Sequence, residues 1–214
     1  MKFANHYLLA SILLVFFVGP VAFDYGLLSI VNLEILFLVI LIFSIFLHRH
    51  DSKLFKVTVV SLIIILINIL FFDNNQSISQ YFLKILIVSI TIVELFREIF
   101  KTKIIDSHII SSAISIYVLV GIFWYLLFMF LLMIDPDSFY IRNFNPEMVS
   151  IDMIYFSFTT LTTLGYGDIT PVSYTAKMWS ITEAMMGVMF LAVMISRVVS
   201  LFGSKKIFGS KKKN

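Results

Sequence analysis

The chain has 214 residues, of which 60% are hydrophobic and 14% are charged, with a formal net charge of +3. Soluble domains are about 45–50% apolar and about 25% charged, so a globule of this length could not bury so much apolar surface. The composition predicts an integral membrane protein and excludes soluble enzymes and nucleic-acid-binding domains. The sequence has no cysteine, which excludes a disulfide, a thiolate metal site and a cysteine nucleophile.

Six segments of the chain are long and apolar enough to cross a membrane, since a spanning helix needs about 20 mostly apolar residues. They lack the period-2 alternation of barrel strands, so we expect helices and no strands. The predicted spans are residues 7–23, 27–47, 54–72, 81–100, 109–134 and 174–202. Residues 135–173 are too polar to span and too apolar for a simple loop, which predicts a segment that enters the membrane and returns.

The first span has an alternative interpretation. Residues 1–23 resemble a signal peptide, with Lys2 followed by an apolar stretch. Because no clear small-x-small cleavage site lies near Phe23, we favour a retained first helix.

The distribution of Lys and Arg predicts the orientation of the spans. With the N-terminus in the cytoplasm, 13 of the 16 basic residues fall on the cytoplasmic side, which places both termini there and explains the basic charge without nucleic acid. The basic tail, residues 203–214, could contact anionic lipid. The 13 are Lys2, Arg49, Lys53, Lys56, Arg97, Lys101, Lys103, Arg197, Lys205, Lys206, Lys211, Lys212 and Lys213.

The returning segment contains the most informative stretch, residues 159–168, which reads TTLTTLGYGD. Two of the eight glycines of the chain lie here, one residue apart. Glycine permits positive φ angles, which let consecutive carbonyl groups point the same way. A ring of such carbonyls can replace the hydration shell of a cation.

This stretch resembles the selectivity filter of the tetrameric potassium-channel superfamily, in its six-helix bacterial type with a single pore loop. The resemblance implies an all-α membrane fold of six spans with a re-entrant pore helix and filter, assembled as a homotetramer in the bacterial inner membrane. It implies passive K⁺ conduction with no cofactor except permeant K⁺. By the resemblance, K⁺ binds at Thr163, Leu164, Gly165 and Tyr166, and Gly167 forms the outer rim of the filter.

Two other functions of the same fold stay open: a non-selective cation channel and a non-conducting regulatory subunit. Leu164 stands where Val or Ile is more usual, which bears on inactivation more than on selectivity. A membrane hydrolase is disfavoured because the sequence has no Gly-x-Ser-x-Gly, His-Glu-x-x-His or membrane-embedded aspartate pair.

Residues 150–162 are predicted to form the pore helix. Ser150 is the expected N-cap, and Asp152 lies in the first turn, where a carboxylate suits the helix dipole. Relatives in the superfamily often bond a Trp to the filter Asp, and this chain has Tyr155 at that position. We therefore expect Tyr155 to donate a hydrogen bond to Asp168 and, with Thr159, to support the filter.

The last span, residues 174–202, is expected to line the pore. Gly187 lies 20 residues beyond Gly167, where the superfamily has a hinge, although close helix packing is an equally good explanation. Leu191, Ile195 and Val199 repeat on one helix face and form the expected gate.

Two charged residues of the last span need partners. Glu183 either holds K⁺ near the cavity or, as we favour, forms hydrogen bonds to pore-helix threonines behind the filter. Arg197 is expected to meet anionic lipid or the linker at residues 101–108.

The first 100 residues are predicted to form a four-helix domain like a voltage sensor, but with one candidate gating charge, Lys84. Voltage-dependent gating should be weak or absent, because steep gating needs 3–4 charges per subunit. Glu34 could pair with Lys84 within the membrane. The remaining predicted parts are a linker helix at 101–108, a pore domain at 109–202 with the filter at 163–168, and the tail at 203–214.

Overall fold

The computed structural model describes residues 6–11, 13, 21, 52–71, 78–101, 107–146 and 148–210. Within these residues, two helices are long and apolar enough to cross a membrane, Ile109–Ile134 and Tyr174–Arg197. Most of the first two predicted spans and residue Glu34 lie outside the described residues, as do residues 102–106 of the predicted linker helix.

The described part of the chain is mainly helical. Its helices agree within a few residues with four of the predicted spans, except that the last one continues to Ser210 instead of ending at residue 202. The elements are α1 (Ser52–Phe71), α2 (Ile78–Lys101), α3 (Ser107–Ile134), a 3₁₀ turn (Pro136–Ser138), β1 (Phe139–Ile141), α4 (Val149–Leu161), β2 (Ile169–Pro171) and α5 (Tyr174–Ser210).

Helix α3 is the centre of the packing, with α2, α4 and α5 against it. One face of α2 is buried at a spacing of three or four residues, as expected for a helix with a single packed face. On the other side of α3, the rings of Phe128, Phe139 and Phe156 lie 5.2–5.4 Å apart in edge-to-face contacts. These rings join α3, β1 and α4 into one core.

Two short strands form a sheet that the sequence did not predict. β1 and β2 are antiparallel, with Tyr140 opposite Thr170. The expectation of no strands is wrong here because a strand of three residues is too short to show an alternation. The Arg142 amide extends the pairing by donating to the Asp168 carbonyl at 3.1 Å. The sheet therefore ties the loop after α3 to the chain that follows the GYGD stretch.

Helix α4, the predicted pore helix, begins one residue earlier than expected, and Ser150 is not its N-cap. The N-cap position is held by Met148, which has helical backbone angles and makes no side-chain capping bond. A capping serine needs an extended backbone, and a turn closed by Met148 N and Asn145 O leads straight into the helix instead. Asp152 lies in the first turn, as predicted.

Candidate functional site

Residues 163–168, which are the GYGD motif and the two residues before it and are called the GYGD stretch below, have an alternating backbone conformation. Thr163, Gly165 and Gly167 have positive φ angles of 59°, 53° and 82°, whereas Leu164 and Tyr166 between them do not. When right-handed and left-handed residues alternate, successive N–H groups point to one side of the chain. The carbonyl groups then point to the other side.

The amide side of this stretch is fastened to the end of α4. The amides of Leu164 and Gly165 both donate to the Thr159 carbonyl, at 2.8 and 3.1 Å, and the Thr163 amide donates to Thr160 O at 2.9 Å. The carbonyls of residues 163–167 accept no hydrogen bond from the residues that the structure describes. The alternation indicates that these carbonyl oxygens face away from the end of α4.

Thr159 supports the stretch through its backbone. Its carbonyl accepts the two amides, while its buried hydroxyl donates within the helix to Phe156 O at 3.0 Å. The sequence identified this residue as filter support but gave no sign that the carbonyl would supply the contact.

Tyr155 and Asp168 lie together at the outer end of the stretch. The Tyr155 hydroxyl donates to Asp168 Oδ2 at 2.8 Å, so the hydrogen bond expected from the sequence is present. The Tyr155 ring stacks on Tyr166, with ring centroids 6.2 Å apart.

The side chains of Leu164 and Tyr166 lie at the surface of the single chain. Leu164 is 56% exposed and Tyr166 is 68% exposed. The face of α5 with Leu191, Ile195 and Val199 is also exposed. The described part of a single chain therefore does not enclose a cation at this stretch, and it does not bring the predicted gate residues into contact with an opposing group.

Two glycines let α4 approach the long helices closely. A Cβ on Gly187 of α5 would overlap the Leu161 carbonyl oxygen, and a Cβ on Gly121 of α3 would overlap the ring of Phe158. Gly187 thus has a packing role, which was one of the two explanations left open. Gly121 was not identified from the sequence, although a glycine inside a long helix is the same signal that identified Gly187.

Glu183 is fully buried and lies behind the pore helix. Its Oε1 is 2.5 Å from the hydroxyl of Ser157 on α4, and the same hydroxyl is 2.8 Å from the Gly121 carbonyl of α3. The favoured expectation of a contact with the pore helix is confirmed, but the partner is a serine and not a threonine.

The two basic residues singled out in the sequence contact aromatic rings. Lys84 is buried, with Nζ 5.2 Å from the centre of the Tyr81 ring. Arg197 donates to the carbonyl of Phe100 at 3.2 Å and its guanidinium lies 5.6 Å from the Phe100 ring centre. Arg197 therefore reaches the last turn of α2, directly before the predicted linker.

Comparison with known proteins shows that this region is similar to ion channels. Residues 112–204 match the family described as "Ion channel". "Two-pore potassium channel 2" of Arabidopsis thaliana is 30% identical over 95 residues, which are 43% of this chain and 19% of that protein. "Two-pore potassium channel 4" of the same plant is 46% identical over 50 residues, 23% of this chain and 18% of that protein.

A bacterial protein gives a similar match. "Voltage-gated potassium channel Kch" of Escherichia coli (strain K12) is 38% identical over 63 residues, 29% of this chain and 14% of that protein. The chain thus spans less than a fifth of the length of these three curated relatives. No solved structure matches the chain at a comparable level of significance. Residues 112–204, which hold most of α3, the returning loop and most of α5, are thus similar to an ion-channel family, and parts of the chain are similar to parts of potassium channels.

Proposed function

We propose that the chain is a subunit of a potassium-selective channel that conducts K⁺ passively. The observation that carries this proposal is the alternating backbone of residues 163–167, in which the amides of Leu164 and Gly165 donate to the Thr159 carbonyl and the carbonyls accept no bond from the described residues. Carbonyl oxygens in a ring replace the water of a dehydrated cation. The C-terminal end of α4, which carries the negative end of a helix dipole, lies beside them and favours a cation.

Four chains complete the site in this proposal. Each chain has one returning loop, so a ring of carbonyls requires a homotetramer with four-fold symmetry. Tyr166 and the α5 residues Met185 and Met189 are exposed on the protomer, which suits a subunit interface or a pore lining. The tetramer would lie in a bacterial inner membrane, with lipid around α1 and anionic lipid at the basic tail.

The four copies of α5 would form the gate. Leu191, Ile195 and Val199 on neighbouring helices could exclude water when the helices approach, with Gly187 permitting the bend. Lys84 is the one candidate gating charge before the end of α2, so opening depends weakly on voltage in this proposal.

The proposal is tested by K⁺ and Na⁺ flux through the purified full chain in liposomes. Gly165→Ala forces a side chain into the left-handed region, which costs roughly 1–2 kcal/mol per residue, and four subunits carry it. We expect the wild type to prefer K⁺ and the variant to lose that preference or all flux. Gly203→Ala makes the same chemical change far along α5 and is expected to leave selectivity unchanged.

Other outcomes would favour the other functions. Equal K⁺ and Na⁺ flux through the wild type would indicate a non-selective cation channel. An intact tetramer without flux would favour a regulatory subunit. If Gly165→Ala conducted with unchanged selectivity, the alternating backbone would not be the filter.

A further inference from the structure

The buried carboxyl group of Glu183 has no part in ion conduction as proposed above. It lies on α5 one turn before Gly187, and its side chain is fully buried. Its contact is with Ser157, whose hydroxyl also touches the Gly121 carbonyl. Three helices, α5, α4 and α3, therefore meet at the oxygen of one serine.

The number of hydrogens at this point is limited. Ser157 has a single hydroxyl hydrogen, and two oxygens lie within bonding distance, Gly121 O at 2.8 Å and Glu183 Oε1 at 2.5 Å. A backbone carbonyl can only accept. If the Ser157 hydrogen goes to Gly121, the short contact with Glu183 needs a hydrogen from the carboxyl group.

An ionised Glu183 would be poorly solvated at this position. It would have one donor at most, because Oε2 is buried with no hydrogen-bond partner among the described residues. No Lys, Arg or His of the described residues lies within ion-pair distance of it. Burial of an unpaired carboxylate is far more unfavourable than burial of a neutral acid with one unsatisfied oxygen.

The other ionisable groups near this point do not supply a compensating positive charge. On α3 the neighbour is Tyr117, which is close enough to interact electrostatically with Glu183. The ionisable residues of α4 are Asp152 and Tyr155, which are neutral or negative. On α5 the nearest cations in sequence are Lys177 and Arg197, about 9 and 21 Å along the helix axis from Glu183.

We propose that Glu183 is a proton-binding site, in which the protonated acid donates to Ser157 and Ser157 donates to the Gly121 carbonyl. This chain of two hydrogen bonds, which we call the clasp, links α4 to α5 on one side and to α3 on the other. One turn further along both helices, Gly187 packs on Leu161, so α5 holds α4 at two points. When Glu183 loses its proton to water, the serine hydroxyl turns toward the carboxylate. The Gly121 carbonyl then loses its bond from Ser157, and the packing of α4, which supports the proposed filter, becomes weaker.

Infrared spectroscopy of the purified full chain tests the protonation directly. We expect the carbonyl stretching band of a buried protonated carboxylic acid at neutral pH, and its complete loss in Glu183→Gln. Glu94→Gln is the matched control, because Glu94 lies 3.2 Å from Arg97 in a partly exposed ion pair. The control should keep the band. Absence of the band in a folded wild type, or its persistence in Glu183→Gln, would overturn the proposal.

The clasp is tested by thermal unfolding as a function of pH. The glutamate of the unfolded chain loses its proton above about pH 4, whereas the folded state keeps it, so the stability of the wild type should fall as the pH rises from about 4 until the folded carboxyl group also ionises. Glu183→Gln keeps a donor toward Ser157 without a titratable proton, so its melting temperature relative to that of the wild type should rise steadily with pH over this range. A constant difference between the two proteins across the pH range would contradict the clasp.

Ser157→Ala provides a second variant. It removes the relay, so we expect a lower melting temperature at neutral pH, with little further change when Glu183→Gln is added. Full additivity of the two substitutions would show that the residues act separately. None of these measurements uses ion flux, so a failure of the clasp is distinguishable from a failure of the proposed channel function.

Discussion

Thr163 is the residue at which the geometry of the proposed filter departs most from ordinary backbone conformation. It is β-branched and has a φ of 59°, a region that such residues avoid at a cost of order 1–3 kcal/mol. Its amide donates to Thr160 O, so the end of α4 holds it there. The sequence predicted positive φ at the glycines on the basis of their freedom, but Thr163 gave no such signal because its conformation is imposed by its surroundings.

At the same scale, Tyr155→Phe tests whether the bond to Asp168 braces the filter. The substitution removes the donor at 2.8 Å and keeps the ring that stacks on Tyr166. A hydrogen bond to a charged group contributes about 1.5–3 kcal/mol, so we expect a faster decline of K⁺ flux and a melting temperature lower by a few degrees. The measurements are sustained flux in liposomes and thermal unfolding.

The control for this substitution is Tyr140→Phe, which removes a hydroxyl from an exposed residue of β1. It should behave like the wild type. If both variants show the same flux and stability, Tyr155 packs in the core without bracing the filter.

At the scale of elements, the position of α4 depends on close contacts with α3 and α5, and each of these helices has a glycine at the contact. Gly187→Ala would place a methyl group on the Leu161 carbonyl oxygen, which is backbone and cannot rotate away. Overpacking of this kind costs typically 1–3 kcal/mol. We expect a lower melting temperature together with lower flux, measured on the purified protein.

Gly187 as a hinge alone would give a different result. Alanine has a higher helix propensity than glycine, so a freely bending α5 would become more stable while its opening changed. Gly203→Ala, in the same helix, is the control for that propensity effect. Stability of Gly187→Ala equal to or above that of Gly203→Ala would contradict the packing role.

The elements differ in how far the sequence could predict them. The helices α1, α2, α3 and α5 follow from long apolar runs, which leave little choice of structure in a membrane. β1 and β2 form where the loop between α3 and α4 lies beside the chain that follows the GYGD stretch, and three-residue strands carry no pattern of their own. Ser157 could not be identified, because its partners Gly121 and Glu183 are 36 and 26 residues away in sequence.

At the scale of the whole molecule, α2 is in direct contact with α5. Phe96 of α2 meets Phe190 of α5 edge-to-face, with ring centroids 5.9 Å apart, and Phe190 lies 5.5 Å from Tyr117 of α3. Further along, Arg197 donates to Phe100 O at the end of α2, where carbonyl groups lack helical partners. A displacement of α2 would thus be transmitted to α5 and the proposed gate through these contacts, without involving the linker.

The charge available to drive such a displacement is small. One elementary charge crossing the membrane potential gives about 2.3 kcal/mol per 100 mV, and steep gating uses 3–4 charges per subunit. Lys84 is the one candidate before the end of α2, and it is 2% exposed against its neighbours. We therefore interpret the α2–α5 contact as a brace that holds α5 in place at every voltage.

Arg197→Gln tests this interpretation with K⁺ flux measured over a series of membrane potentials. The wild type should show a shallow voltage dependence. The variant loses the charge over the Phe100 ring and weakens the bond to Phe100 O, so we expect its flux to change by a similar factor at all potentials. Arg142→Gln makes the same change at an exposed position outside α5 and should have no effect. A steep wild-type response that flattens in Arg197→Gln would instead identify the contact as the transmission of a working voltage sensor.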